Sequence, residues 1–178
     1  MPRFATILTL AVLLAPALLQ GQSAQRLSVQ GSGALLFPSQ ADPAFENQTR
    51  LGYEAQLRYT ASRLSVGAGY QRSTVYRLET DGADFTAALS LAFLEPRYVA
   101  AASDRMALYV AGRIGYGTLI CSEACNANDS YLTYGGGGGL LVRVAGRTAV
   151  DLGGQYFVAN DTFDSGYTML RLGLSIGL

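Results

Sequence analysis

Along most of the chain, apolar and polar residues alternate one by one, the period of a β-strand whose two faces meet different surroundings. The last twelve residues, YTMLRLGLSIGL, show it most plainly. Leu170, Leu172, Leu174, Ile176 and Leu178 fall on one face, and Met169, Arg171, Gly173, Ser175 and Gly177 on the other. LGYEAQLRYT repeats the pattern, with Leu51, Tyr53, Ala55, Leu57 and Tyr59 opposed to Gly52, Glu54, Gln56, Arg58 and Thr60. From Met106 to Ile120, Met106, Leu108, Val110, Ile114 and Tyr116 alternate with Tyr109, Arg113, Gly115 and Gly117. Extended along the chain, the period predicts eight strands, near residues 26–37, 50–60, 63–75, 84–100, 105–120, 131–144, 148–158 and 166–178.

The links between these strands alternate in length. Ala61 to Arg63, Ala101 to Asp104 and Ala145 to Arg147 are tight, whereas Pro38 to Thr49, Tyr76 to Ala83, Cys121 to Ser130 and Ala159 to Ser165 are long and polar. Short turns on one rim and long loops on the other are the arrangement of a membrane barrel, and an even strand count brings both chain ends to the short-turn rim. The predicted fold class is therefore all-β, an eight-stranded antiparallel up-and-down transmembrane β-barrel. Residues 25–178 form it.

In a membrane barrel the apolar face turns outward and the polar face lines the lumen, the reverse of a soluble barrel. The polar face carries Glu54, Arg58, Arg113, Arg143, Asp151 and Arg171, expected to form an ion network inside the lumen. One strand resists the scheme. From Phe85 to Phe93 the odd residues are apolar, and the same register through FLEPRYVA would send Glu95 and Arg97 into lipid, so a bulge near Pro96 is expected to turn both into the network. Phe37, Tyr53, Tyr70, Phe85, Tyr116, Tyr134 and Tyr156 fall on the lipid-facing set near the long-loop ends, as an aromatic girdle would. A soluble lipocalin-like calyx would need the same apolar face inside, leaving an outer surface poor in charge, which argues against solubility.

Residues 1–24 have the three parts of a cleaved export signal: Arg3, the apolar stretch from Ile7 to Leu19, and the small residues Gly21, Ser23 and Ala24. Export to an oxidising compartment lets Cys121 and Cys125, the only cysteines, form a small loop-closing disulfide. Two cysteines without histidine cannot furnish a structural zinc site.

At 178 residues the chain has room for one ordinary domain, and its 21 Gly and 11 Tyr with 15% charged residues suit strands and turns. Basic and acidic residues balance at 13 each, so net charge invites no nucleic acid. Histidine is absent, which removes the commonest general base and metal ligand. Gly173 to Gly177 reads GLSIG, but no helix follows and no base is present to activate Ser175. The glycines from Gly135 to Gly139 lack the Lys-Ser/Thr pair of a phosphate loop, and read instead as room for inward side chains such as Tyr109 and Arg113. Neither enzyme chemistry, cofactor nor metal is expected.

The sequons at Asn47, Asn128 and Asn160 all fall in long loops, where Asn, Ser and Thr are ordinary turn formers. The long loops are also acidic, with Asp42, Glu46, Glu79, Asp81, Asp84, Glu123, Asp129, Asp161 and Asp164, while Arg63, Arg105 and Arg147 mark the tight turns. The plainer reading is solvated loops; the functional one is a face for divalent cations or a basic loop-binding partner.

By its alternating strands, the FLEPRYVA to ALYVAGRIGYG hairpin and its apolar last strand, the chain resembles the small bacterial outer-membrane β-barrels of the OmpA transmembrane-domain and OmpX kind. The resemblance covers essentially the whole of 25–178. It implies the outer membrane as location, its lipid and the barrel assembly machinery as partners, and a structural or surface-interaction role through the outer loops. A narrow porin-like channel is the alternative within the fold. Members usually end in an aromatic residue, where this chain has Leu178.

Intact-mass measurement of the membrane-derived protein is expected to place its first residue at Ala24 or Gln25. A retained Met1 segment would contradict the export reading.

Overall fold

The computed structural model describes residues 27–38, 50–80, 83–121, 130–160 and 166–178. The expected signal segment and Cys125 lie outside the described residues. Eight strands follow one another: β1 (Leu27–Pro38), β2 (Arg50–Ala61), β3 (Leu64–Thr80), β4 (Ala83–Ala102), β5 (Met106–Cys121), β6 (Ser130–Ala145), β7 (Thr148–Asn160) and β8 (Gly166–Gly177). Each pairs antiparallel with the next, and β1 pairs with β8 to close the barrel. Closure leaves no edge strand unpaired, the condition for a sheet to sit in hydrocarbon.

The tight turns use the backbone conformations that two-residue links demand. Ser62 and Gly146 both stand at positive φ, 55° and 45°. The start of β1 and the end of β8 meet on the same rim, where the Leu178 amide donates to the Leu27 carbonyl at 2.9 Å.

The two faces sort as in a membrane barrel. Leu51, Leu57, Leu108, Val110, Ile114, Leu152, Leu172 and Leu174 are exposed on the outside, while Glu54, Arg58, Arg113, Asp151 and Arg171 are buried inside. A soluble calyx has the opposite polarity and is excluded. The upper limit of the apolar band can be traced strand by strand. Tyr70, Ala92, Tyr116 and Leu132 are cross-strand neighbours in one row, and Arg72, Ser90, Thr118 and Ser130 in the row above. Apolar and aromatic give way to polar within two residues, as expected where hydrocarbon meets headgroups.

Phe37, Tyr53, Tyr70, Tyr116, Tyr134 and Tyr156 are all exposed on the outer face; the side chain of Phe85 lies outside the described residues. Tyr59 and Tyr98 are also exposed, near the short-turn end, and supply aromatics at the other interface.

β4 departs from the sequence expectation. No bulge occurs at Pro96: the β4–β5 pairing keeps one register from Ala87↔Cys121 through Arg97↔Ala111, and the irregularity falls between Val99 and Ala101. From Leu89 to Arg97 the odd residues face the lumen, so Leu89, Leu91 and Phe93 are buried together with Glu95 and Arg97. Pro96 points outward with Leu94 and Tyr98, where its missing N–H costs a single ladder bond. The physical reason is that the lumen has an apolar half. Leu89, Leu91 and Phe93 join Ala34, Leu36, Phe157 and Met169 as its buried apolar lining, and Phe157 stacks on Tyr167 with ring centroids 5.0 Å apart.

Placed at the centre of the outward row of β8, Leu174→Arg is expected to destabilise the barrel in lipid vesicles by about 2–4 kcal/mol, against about 0–1 kcal/mol for Leu178→Arg near the interface. Urea unfolding in vesicles measures both. Equal midpoints for the two variants would show that no depth profile exists.

Candidate functional site: the charged lumen

Below the apolar half, towards the short turns, the lumen is filled by charge. Seven buried ionisable side chains converge from five strands: Glu54 and Arg58 on β2, Glu95 and Arg97 on β4, Arg113 on β5, Asp151 on β7 and Arg171 on β8, with Gln30 on β1 beside them. Alternation alone puts each on the inner face. Cross-strand stagger then brings them to one level.

Glu95 is the centre of this network and is wholly buried. Its Oε1 accepts from Arg97 Nε at 2.7 Å and Arg58 Nη2 at 2.8 Å, and its Oε2 from Arg171 Nη1 at 3.1 Å, Gln155 Nε2 at 3.1 Å and the Arg113 guanidinium. Four arginines thus share one carboxylate. Glu54 ties two of them from above, to Arg113 Nη2 at 2.9 Å and Arg171 Nη1 at 2.8 Å. Asp151 ties the lower side: its Oδ1 accepts from the Tyr109 hydroxyl at 2.6 Å, and its Oδ2 from Gln30 Nε2 at 2.7 Å, with Arg97 Nη2 at 2.9 Å. At such burial only this density of opposite charge and hydrogen bonds offsets desolvation.

Aromatic rings join the two halves of the lumen. The Arg113 guanidinium carbon lies 3.8 Å from the Phe93 ring centroid, and that of Arg97 lies 4.4 Å from the Tyr109 centroid. Glycine makes the room. A Cβ at Gly139, the cross-strand partner of Tyr109, would sit 2.6 Å from Cζ of that tyrosine, and one at Gly69 would sit 2.6 Å from Cζ of Phe93. No larger residue fits at either place without displacing the ring.

Arg143 is the exception among the predicted lumen charges. It occupies the lumen-facing register but lies exposed at the short-turn rim, and no ion pair of its side chain occurs among the described residues. Asp151, whose cross-strand partner Leu141 lies two residues before Arg143 on β6, is occupied by Arg97, Gln30 and Tyr109. The members that sequence reasoning missed are Gln30, Gln71 and Gln155, while Tyr109 was read as inward but not as a partner of Asp151; a polar inward position flanked by outward apolar ones was the available signal. Cys121 closes β5, while the pairing proposed for it with Cys125 falls outside the described residues. No group of three or more potential metal ligands occurs among the described residues.

No protein-family model matches the chain, and neither does any curated protein sequence. Solved structures do. Neisserial surface protein A is 16% identical with a TM-score of 0.65, over 88% of this chain and all of the other. Ail, the attachment invasion locus protein of Yersinia pestis, is 15% identical with a TM-score of 0.59, over 84% of this chain and 96% of that one. The N-terminal β-barrel domain of Pseudomonas aeruginosa OprF is 13% identical with a TM-score of 0.57, again over 84% and 96%.

Replacing Glu95 by Gln is expected to destabilise the barrel by about 3–5 kcal/mol, the range for breaking a buried ion pair, because four guanidinium groups lose their shared counter-charge. Arg143→Gln is expected to stay within about 0.5 kcal/mol of the parent, as an exposed substitution does. Urea unfolding in lipid vesicles compares them. Together, the closed register, the outward apolar face and these structural likenesses give the chain the fold of the small eight-stranded outer-membrane β-barrels.

Proposed function

We propose that the protein resides in the bacterial outer membrane as a closed barrel and acts through its long loops, in a structural or surface-interaction role, without catalysis. The observation that carries this reading is the filled lumen. Leu91, Phe157, Met169, Gln71, Glu95, Tyr109 and Asp151 are all at most 1% exposed, which is consistent with eight strands enclosing only enough space for side chains. A barrel filled in this way leaves its loops as the part able to meet a partner. The likeness to Ail, whose name records attachment and invasion, supports a surface-interaction role for a barrel of this size. The lack of histidine supports the non-enzymatic reading.

The second reading is a narrow channel for ions or small solutes. It draws on polar atoms buried in the lumen that meet no partner among the described residues, among them Gln56 Nε2, Gln71 Nε2 and Ser73 Oγ, which water would satisfy.

Fractionation with surface labelling of the long loops tests the location. In planar bilayers the parent protein is expected to show no stable conductance, and Arg113→Ala or Arg171→Ala to introduce one by opening the network. Stable, large conductance from the parent would overturn the closed-barrel reading in favour of the channel.

A further inference from the structure

The two ends of the barrel differ in charge. The described short turns and the strand ends that meet them carry Arg63, Arg105, Arg143 and Arg147 with Asp104, four positive charges against one negative, a surplus of three. The long-loop segments are acidic in sequence. Arg105, Arg143 and Arg147 are exposed and Arg63 is half-buried, and no ion pair among the described residues engages any of the four.

Depth decides what these arginines meet. Leu64 and Tyr98 are cross-strand partners exposed on the outer face, and Arg63 stands one residue beyond, its carbonyl accepting from the Val99 amide at 2.8 Å. Arg105 and Arg143 stand one residue beyond the Met106–Val142 pair. Arg147 stands one beyond the Thr148–Ile176 pair, its carbonyl accepting from the Gly177 amide at 2.9 Å. All four thus lie one step past an outward apolar residue, with Tyr98 at the boundary, which is the level where hydrocarbon gives way to headgroups.

Charge is densest at β5 and β6. The Arg143 amide donates to the Arg105 carbonyl at 2.7 Å, so two exposed like charges stand across from one another on neighbouring strands. Such a pair repels, and a phosphate is a group that guanidinium forks bind bidentately. Arg143 keeps the inner-face register, but the wall ends there and its side chain is exposed at the edge. At such an edge arginine lays its methylene stem along apolar surface and keeps its head group in the polar layer.

We propose that the short-turn rim is a docking surface for anionic phospholipid, whose phosphates pair with Arg105 and Arg143 together and with Arg63 and Arg147. The anionic class follows from the surplus of three. A zwitterionic headgroup brings its own ammonium to the arginines, and an anionic one does not. Acidic loops disfavour the same lipid at the other end, so the preference belongs to the leaflet that meets the short turns. The inference rests on the membrane location proposed above.

Native mass spectrometry of the intact barrel in neutral micelles tests it, with phosphatidylglycerol and phosphatidylcholine of equal chain length as probes. The parent should bind phosphatidylglycerol more tightly, and Arg105→Gln with Arg143→Gln should weaken that binding about fivefold for each arginine removed. If this double variant fails to fold, Arg147→Gln alone should show the single fivefold loss. Equal affinity of the parent for both lipids would overturn the inference and leave the rim to an acidic soluble partner. An equal loss in Arg72→Gln, which removes an exposed arginine at the long-loop boundary, would overturn it as well. A barrel that does not insert into phosphatidylcholine vesicles contradicts the membrane location itself, whereas one that inserts without preferring phosphatidylglycerol contradicts this inference alone.

Discussion

The Glu95 carboxylate, buried among four arginines, is the interaction on which the interior is organised. It sits where β4 crosses the middle of the lumen, and it contacts groups from β2, β5, β7 and β8. A charge so deep in a low-dielectric space is tolerable only when its partners are fixed, and their fixing in turn defines how the strands are staggered. The network therefore does for this barrel what a hydrophobic core does for a soluble one: it makes one register better than its neighbours. Slipping β2, β4, β5, β7 or β8 by a single residue would carry its buried charges into lipid and its apolar row into the lumen.

The interior is nonetheless not uniform. Towards the long loops the filling is Leu, Phe and Met, and towards the short turns it is Arg, Glu, Asp and Gln, with Arg113 lying over the Phe93 ring at the junction. This division separates two tasks. The apolar half packs mainly by shape, with Gln71, Ser73 and Thr133 as its few buried polar side chains, and the charged half supplies specificity through direction-dependent bonds. Both halves depend on the glycines of β6, where a side chain at Gly135, Gly137 or Gly139 would run into the neighbouring strand or the rings packed against it.

Much of this was legible in the sequence because the period of two is enforced twice, once by lipid and once by the lumen. Strand number, order and the inner position of Glu54, Arg58, Arg113, Asp151 and Arg171 follow from alternation alone. β4 shows where that reasoning stops. Leu89, Leu91 and Phe93 are as apolar as any lipid-facing row, and hydropathy cannot tell a lumen plug from a membrane surface. The charges of Glu95 and Arg97 were the better guide to register, and Pro96 invited a bulge that a continuous ladder does not need. Arg143 was misplaced for a different reason: alternation reports which face a residue occupies and says nothing of depth, and its carboxylate neighbours lie one level further in. Pairing within the network was not legible either, since it depends on stagger between strands far apart in the chain.

β3 and β4 are much longer than a bilayer requires. β4 runs for 20 residues, whereas a strand crosses hydrocarbon in about 9–11. The polar row through Arg72 and Ser90 marks where lipid ends, and the pairing of these two strands continues past it, across one register shift between Thr74 and Tyr76, for eight further positions of β3, to Thr80. At about 3.4 Å per residue this is a ribbon of roughly 27 Å measured along the strand. Such a ribbon works as a mast. It carries its far end away from the surface on a hydrogen-bonded support, with its orientation inherited from the barrel beneath.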